Sequence, residues 1–169
     1  MENIQIREVQ VQDAEQLLRL NQELDRETKF MLYEPGERNA TIESQTKRIK
    51  GMLESGHSTL LLAVNAEGNV IGQLGIIGSE LQRKKHVVYM IIGILQHYTG
   101  QGVGARLFRA MEEWCRLRRI HRIELTVMAH NEAAIALYHK MGFELEGKKR
   151  HSLIVDGQYV DELYMAKLV

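Results

Sequence analysis

Cysteine and proline are nearly absent from this sequence of 169 residues, which contains one of each. The lone cysteine, Cys115, has no partner for an internal disulfide, and cysteine-rich zinc sites are excluded. A single proline and dispersed glycines argue against a disordered chain. We therefore expect one folded domain over residues 1–169, long enough to bury a sizeable hydrophobic core.

Net charge is absent too, because 22 basic residues balance 22 acidic ones. No overall field then attracts nucleic acid or a membrane surface, so a nucleic-acid partner is disfavoured. No apolar run approaches the roughly 20 residues that span a bilayer. The N-terminus lacks the basic and apolar regions of a signal peptide, and the seven histidines show no metal-binding spacing. We expect a soluble cytoplasmic protein with no membrane partner and no metal.

The hydrophobic periodicity predicts a mixed α/β chain with the element order βααβββαβαββ. Four helices are predicted, after Asp13, Thr41, Gly102 and Asn131. The most apolar strand, Val87–Leu95, is expected at the centre of a sheet. Residues 59–64 and 70–78 read as an antiparallel hairpin, and Asp156-Gly157 reads as a tight turn between the last two strands.

The central apolar strand leads into the stretch Gly-Ile-Leu-Gln-His-Tyr-Thr-Gly-Gln-Gly-Val-Gly-Ala at residues 93–105. Its last glycines alternate with other residues and open a helix. Glycine lets the backbone turn sharply and approach a ligand closely. The start of a helix adds unpaired N–H donors and the positive end of a dipole, and both suit a phosphate.

Two known types of phosphate-binding loop can be compared with this stretch. The spacing from Gly100 to Ala105, with Glu124 further on, fits a loose dinucleotide-binding fingerprint. Four polar residues separate the strand from the first glycine, however, and no second βαβ half follows, so this reading is disfavoured. A Walker loop is excluded because no Gly-Lys-Ser/Thr follows the turn.

A second motif follows the glycine loop by one helix and one strand. Residues 131–143 read Asn-Glu-Ala-Ala-Ile-Ala-Leu-Tyr-His-Lys-Met-Gly-Phe. This stretch resembles the Asn-x-x-Ala-x-x-Leu-Tyr-x-x-x-Gly-Phe signature of the GCN5-related N-acetyltransferases, the GNAT family. The element order extends the resemblance over nearly the whole chain. It implies a single α/β domain with a mixed, mostly antiparallel central sheet flanked by about four helices.

The resemblance also implies that acetyl-CoA is the acetyl donor. By analogy with the family, the backbone of Ile92, Gly93 and Ile94 would pair with its pantetheine arm, Asn131 would contact the same arm, and Tyr138 would lie beside the sulfur. The pyrophosphate would be cradled by Gly100, Gln101, Gly102, Val103, Gly104 and Ala105. Thr99 departs from the family pattern, which usually has Arg or Gln there. A hydroxyl brings no charge, so backbone donors must contribute more of the phosphate binding.

The chemistry implied is direct transfer to an amine in a ternary complex. Backbone N–H near Ile92 would stabilise charge on the thioester oxygen, and Tyr138 would protonate the departing thiolate, whose thiol has a pKa of about 8.5. No general base is assigned. The family's glutamate position is Thr126 here, which cannot serve. Three other residues stay open as candidates, Glu124, Tyr89 and Glu80, and so does a chain of water molecules. Cys115 lies on an apolar helix stripe and is read as packing, not as a nucleophile.

The acceptor is less well indicated. The segment from Glu23 to Glu43 is rich in carboxylates, and in this family it commonly covers the acceptor site. Glu34 and Glu37 would then suit a cationic amine, such as a polyamine or a basic side chain of a peptide or protein, and His86 would touch substrate. A solvated loop explains the same residues. A non-catalytic acyl-CoA-binding sensor is the alternative function, and a homodimer through the terminal strands stays open.

Overall fold

The computed structural model describes residues 3–169 and contains seven strands and four α-helices in these residues. The strands are β1 Gln5–Glu8, β2 Thr59–Val64, β3 Val70–Ile77, β4 Val87–Ile94, β5 Arg122–Met128, β6 Glu144–Val155 and β7 Gln158–Leu168. The helices are α1 Ala14–Glu27, α2 Ile42–Ser55, α3 Val103–Leu117 and α4 Glu132–Lys140. The order βααβββαβαββ is confirmed, as is the α/β fold class.

Local side-chain chemistry sets several helix ends. The Thr41 hydroxyl accepts a hydrogen bond from the Ser44 N–H at 3.0 Å, which caps α2. That helix closes at Gly56, whose φ of 72° is readily adopted only by glycine. The Asn131 side chain accepts from the Ala134 N–H at 3.3 Å and caps α4. The expected caps at Thr41 and Asn131 are therefore confirmed.

The expected cap at Asp13 is wrong. Its carboxylate makes no hydrogen bond to α1; it accepts two bonds from Arg7, both at 2.8 Å, and one from the Gln10 N–H at 2.7 Å. The Arg7 guanidinium lowers the pKa of Asp13. Asp13 thus ties β1 to the turn before α1, because a charged partner on the strand competes successfully with the helix N–H groups.

The strands form one sheet in the order β1-β2-β3-β4-β5-β7-β6. All neighbours are antiparallel except β4 and β5, which run parallel. The sheet is therefore mixed and mostly antiparallel, with β4 at its centre. Asp156 and Gly157 both have positive φ, 51° and 74°, as a tight hairpin turn between β6 and β7 requires.

Two hydrophobic clusters cover the two faces of the sheet. Residues of α3 and α4 pack with one cluster, which includes Phe108 and Tyr138. Residues of α1 and α2 pack with the other, which includes Leu24 and Ile49. Within residues 3–169, no helix combines the length and apolar character needed to cross a membrane. The same residues contain no cluster of three or more His, Cys, Asp or Glu side chains arranged for a metal.

Candidate active site

The two central parallel strands separate along their length. β4 and β5 pair only from Val87 to Tyr89 and from Arg122 to Glu124, whereas β4 remains paired with β3 as far as Ile94. From Met90 onward, one edge of β4 therefore faces a gap. The chain directions mean that this gap opens toward the C-terminal ends of both strands.

Backbone donors of β4 point into that gap. The Leu95 N–H donates to the Ile71 carbonyl on the β3 side at 3.0 Å. Because N–H directions alternate along a strand, the N–H groups of Ile92 and Ile94 face the other way, toward the gap. These groups are free to pair with an extended ligand or with a developing negative charge.

The glycine loop ends at the start of α3 with unpaired donors. Gly100 and Gly102 have φ values of 73° and 80°, so both positions favour glycine. No side chain caps α3. The first N–H of α3 to find an acceptor is that of Arg106, at 3.1 Å from the Gly102 carbonyl. Within the described chain, the N–H groups of residues 103–105 have no acceptor, which is the arrangement that suits a phosphate.

A cavity of about 1740 Å³ connects the strand gap with the glycine loop and with the α1/α2 face of the sheet. Among the residues predicted to hold acetyl-CoA, the cavity is lined by Ile92, Gly93, Ile94, Thr99, Gly100, Gly102, Gly104, Ala105 and Asn131, and Tyr138 joins them. Gln101 and Val103 are not among its lining residues. The Gln101 amide bonds the His97 carbonyl at 2.8 Å, and Val103 is buried in the core.

Close packing explains two of the lining glycines. A Cβ on Gly93 would lie 2.7 Å from Leu24 Cδ1 of α1, closer than real Cβ contacts allow. A Cβ on Gly104 would lie 3.1 Å from Leu137 Cδ2 of α4. The two glycines let α1 approach β4 and let α4 approach the start of α3. Thr99 keeps its hydroxyl on the Gln96 carbonyl at 2.8 Å, so it closes its own turn.

Tyr138 is 7% exposed and lies in an aromatic cluster with Phe108 and Phe143. Its hydroxyl makes no hydrogen bond to residues 3–169, yet it is not among the fully buried atoms that lack a partner, so it reaches the cavity. Burial, with a smaller contribution from Tyr89, raises the pKa of Tyr138 to about 12. The group is a neutral hydrogen-bond donor over the whole physiological pH range.

One of the three open base candidates reaches the cavity. Tyr89 lines it, and its hydroxyl lies 2.6 Å from the Thr126 hydroxyl across the gap. Glu124 instead binds Arg122 at 2.8 Å, and Glu80 lies 83% exposed beside His57. Neither lines the cavity, so neither is retained as a base.

The three residues predicted to bind the acceptor are not brought to the cavity. The Glu37 carboxylate accepts from the Glu34 N–H at 2.9 Å and so closes its own turn. Neither of these residues lines the cavity. His86 is exposed just before β4, at the end of the strand opposite Ile94, and also lies outside the lining. Sequence proximity to the site did not determine which side chains turn inward.

Cys115 is fully buried in the core, as its place on the apolar stripe predicted. Burial raises the pKa of its thiol to about 12, so the reactive thiolate is scarce at neutral pH. It does not line the cavity.

Sequence reasoning missed several polar side chains that line the cavity, among them Gln45 and Arg48 on α2, Lys140 on α4, and Glu162 on β7. Glu162 accepts from Lys149 at 3.2 Å and from Ser152 at 2.9 Å. Lys140 lies within the second motif, three residues after Leu137. Residues at this spacing share one side of a helix, so the motif could have indicated that Lys140 faces the site. The others belong to no motif and become visible only when the sheet is assembled.

The sequence matches the model of the acetyltransferase (GNAT) family over residues 17–143. An L-amino acid N-acetyltransferase, AaaT, of Escherichia coli K12 is 39% identical over 103 residues, covering 60% of this chain and 64% of that protein. A spermidine N(1)-acetyltransferase of the same strain is 27% identical over 103 residues, covering 60% and 54%. The chain thus spans less than two thirds of these relatives.

Solved structures share the fold. An acetyltransferase of the GNAT family from Streptococcus pneumoniae superposes with a TM-score of 0.94 at 28% identity, covering 99% of this chain and 100% of that one. The putative acetyltransferase yncA from Salmonella typhimurium, solved with its cofactor acetyl-CoA, gives a TM-score of 0.85 at 16% identity, covering 98% and 93%.

Proposed function

The chain belongs to the acetyltransferase (GNAT) family, and from this premise we propose that it transfers an acetyl group from acetyl-CoA to a primary amine. The observation that carries the proposal is that one cavity collects three kinds of group: the unpaired edge of β4, the free N–H groups at the start of α3, and the Tyr138 hydroxyl. The β4 edge suits the pantetheine arm of acetyl-CoA, the N–H groups suit its pyrophosphate, and the hydroxyl suits its sulfur.

The residues fit acetyl-CoA as follows. The N–H groups of residues 103–105 would bind the pyrophosphate, and Lys140 would add the positive charge that Thr99 does not supply. Lys140 lines the cavity one helical turn beyond Leu137, which packs against Gly104. The backbone of Ile92 and Ile94 would pair with the pantetheine arm. Bound acetyl-CoA supplies a thioester carbonyl that gains negative charge when an amine attacks and a sulfur that leaves as a thiolate.

Two groups of the chain would stabilise those charges. The Ile92 N–H, fixed by the sheet, faces the gap and would donate to the carbonyl oxygen without having to reorganise. Tyr138 would donate to the sulfur. Its pKa of about 12 lies above that of a thiol, at about 8.5, so complete proton transfer to the thiolate is uphill. A hydrogen bond to the developing charge is the better assignment for Tyr138.

The route is direct transfer with no acetylated enzyme, since the one cysteine is buried away from the cavity. A pure acyl-CoA sensor is the rival. We would incubate the protein with acetyl-CoA and a panel of amino acids, polyamines and peptides, following thiol release and product mass. Acetylated amine and thiol in equal amounts are expected. Binding of acetyl-CoA without amine-dependent thiol release across the panel would support the sensor instead.

A further inference from the structure

Six charged side chains line the cavity; four of them have a hydrogen-bond or ion-pair partner and two have none. They are Glu27, Lys29, Arg38, Arg48, Lys140 and Glu162. Glu27 accepts from the Gln96 N–H, Lys29 pairs with Asp156, Arg38 pairs with buried Asp25, and Glu162 pairs with Lys149. Arg48 and Lys140 have neither a hydrogen-bond nor an ion-pair partner within residues 3–169. The two charged side chains that have no partner at all are both positive, whereas the Glu27 carboxylate has a backbone N–H partner but no cation.

The two free cations lie on opposite faces of the sheet. Lys140 ends α4, beside the glycine loop, where the proposed function needs a positive charge. Arg48 lies on α2, which packs on the α1 side. It shares the cavity-facing side of that helix with Ser44, Gln45 and Met52, spaced three to four residues apart. Arg48 is therefore available to a ligand other than acetyl-CoA.

Gln45, one turn before Arg48, is 4% exposed, and its Nε2 has no hydrogen-bond acceptor in the described chain. A buried amide left unpaired destabilises the folded protein. Nε2 is closed to the cavity in this structure, so an oxygen-rich ligand group beside Arg48 would supply the missing acceptor once the Gln45 side chain turns toward it. A guanidinium and an amide together suit a carboxylate.

Apolar side chains form the floor between Arg48 and the strand gap. Ile77 and Ile91 are 40% and 45% exposed, and both line the cavity. They share a face with Gln73, which bonds Asn21 of α1, because paired positions on β3 and β4 alternate between the two faces. Phe30 and Tyr33 of the α1–α2 loop line the same side. Apolar area left uncovered inside a cavity is typical of a binding surface.

Resting on the proposed function, we propose that the acceptor is a free apolar amino acid, whose carboxylate is bound by Arg48 and Gln45. Its apolar side chain packs on Ile77 and Ile91, which leaves its amine directed toward the strand gap. A polyamine would bring positive charge beside Arg48, whereas the one lining carboxylate without a cation, Glu27, ends α1. Repulsion by Arg48 therefore disfavours a polycation at the α2 side of the cavity.

The test compares leucine, leucinamide and spermidine as acceptors for wild type, Arg48→Gln and the control Lys47→Gln. Lys47 is exposed on the same helix and does not line the cavity. We expect Arg48→Gln to lower kcat/KM for leucine by about 10- to 150-fold, the range for a hydrogen bond to a charged group. The values for leucinamide should change less than threefold. Acetyl-CoA affinity should stay at the wild-type value, and Lys47→Gln should match wild type throughout.

Comparing the same acceptor between two proteins cancels differences in amine basicity. Equal losses on leucine and leucinamide, unchanged kcat/KM on leucine, or a preference for spermidine would overturn the carboxylate assignment while leaving the acetyltransferase intact. If the protein binds acetyl-CoA but acetylates no amine, both this inference and the proposed function fail.

Discussion

Replacing Tyr138 with Phe should separate the packing role of this side chain from its part in catalysis. The ring packs against Phe108 and Phe143 at centroid distances of 5.9 and 6.0 Å, and Phe keeps those contacts. The hydroxyl makes no hydrogen bond to the described chain, so the free energy of unfolding should change by less than about 1 kcal/mol. Tyr138→Phe should therefore fold normally.

The catalytic loss follows from the charge that the hydroxyl meets. A hydrogen bond to a charged group contributes about 1.5–3 kcal/mol, which corresponds to roughly 10- to 150-fold in rate. We expect kcat to fall by that factor while the acetyl-CoA Kd stays within about twofold, because the phosphate and pantetheine contacts remain. The matched control is Tyr159→Phe, because Tyr159 is exposed on β7 and lies outside the cavity. This variant should behave as wild type.

The pH profile sharpens this test. A group with a raised pKa stays protonated, and therefore a donor, until the pH approaches that pKa. With a pKa of about 12, Tyr138 is only about 1% ionised at pH 10, where an ordinary tyrosine is half ionised. At saturating substrates, wild-type kcat should show no loss from this group up to pH 10. Unchanged kcat in Tyr138→Phe would refute the assignment. A wild-type fall centred near pH 10 that the variant lacks would keep Tyr138 as the donor but contradict its raised pKa.

Three further predictions concern individual residues. Gly93→Ala should lower the free energy of unfolding by about 1–3 kcal/mol in denaturant titration, because its Cβ would meet Leu24; Gly147→Ala, whose Cβ has 3.8 Å of clearance, should lose clearly less, and equal losses would contradict the steric reason. Thr99→Arg should tighten acetyl-CoA binding about twofold to fivefold by calorimetry, with Thr99→Gln showing less, and unchanged affinity would argue against phosphate binding at this loop. Cys115 should resist iodoacetamide at pH 8 in the folded protein, and Cys115→Ala should keep its acetyl transfer; rapid labelling together with an acetylated thiol would contradict direct transfer.

Much of the fold was predictable because its signals are local. Thr41, Gly56 and Asn131 fix helix ends through their own side chains or backbone, and the periodicity of apolar residues marks the strands except in the polar middle of β6. Asp13 was misread because its partner, Arg7, comes from a strand and not from the helix it precedes. A prediction of helix caps from neighbouring residues in the sequence does not include a competing partner on a strand.

The candidate site likewise has one part that the sequence predicted and one part that it did not. The glycine loop and the Asn131–Phe143 motif are contiguous in sequence, so the residues that line the donor half of the cavity could be named in advance. The other half depends on which side chains of α2 and of the α1–α2 loop turn inward. Glu37 is captured by the Glu34 N–H, whereas Arg48 faces the cavity. Packing across the sheet determines which of these side chains face the cavity.

The measurement that tests the central claim most directly is amide hydrogen exchange by NMR, with and without acetyl-CoA. If the donor lies in the gap beside β4, the amides of Ile92 and Ile94 and of residues 103–105 should slow by at least about tenfold when acetyl-CoA binds. The Gly93 and Leu95 amides face β3 and should change little. A second cleft, of about 540 Å³, lies beside residues 3–6, Arg106 and Arg109. Protection confined to residues 3–6, with unchanged exchange at Ile92 and Ile94, would contradict the account.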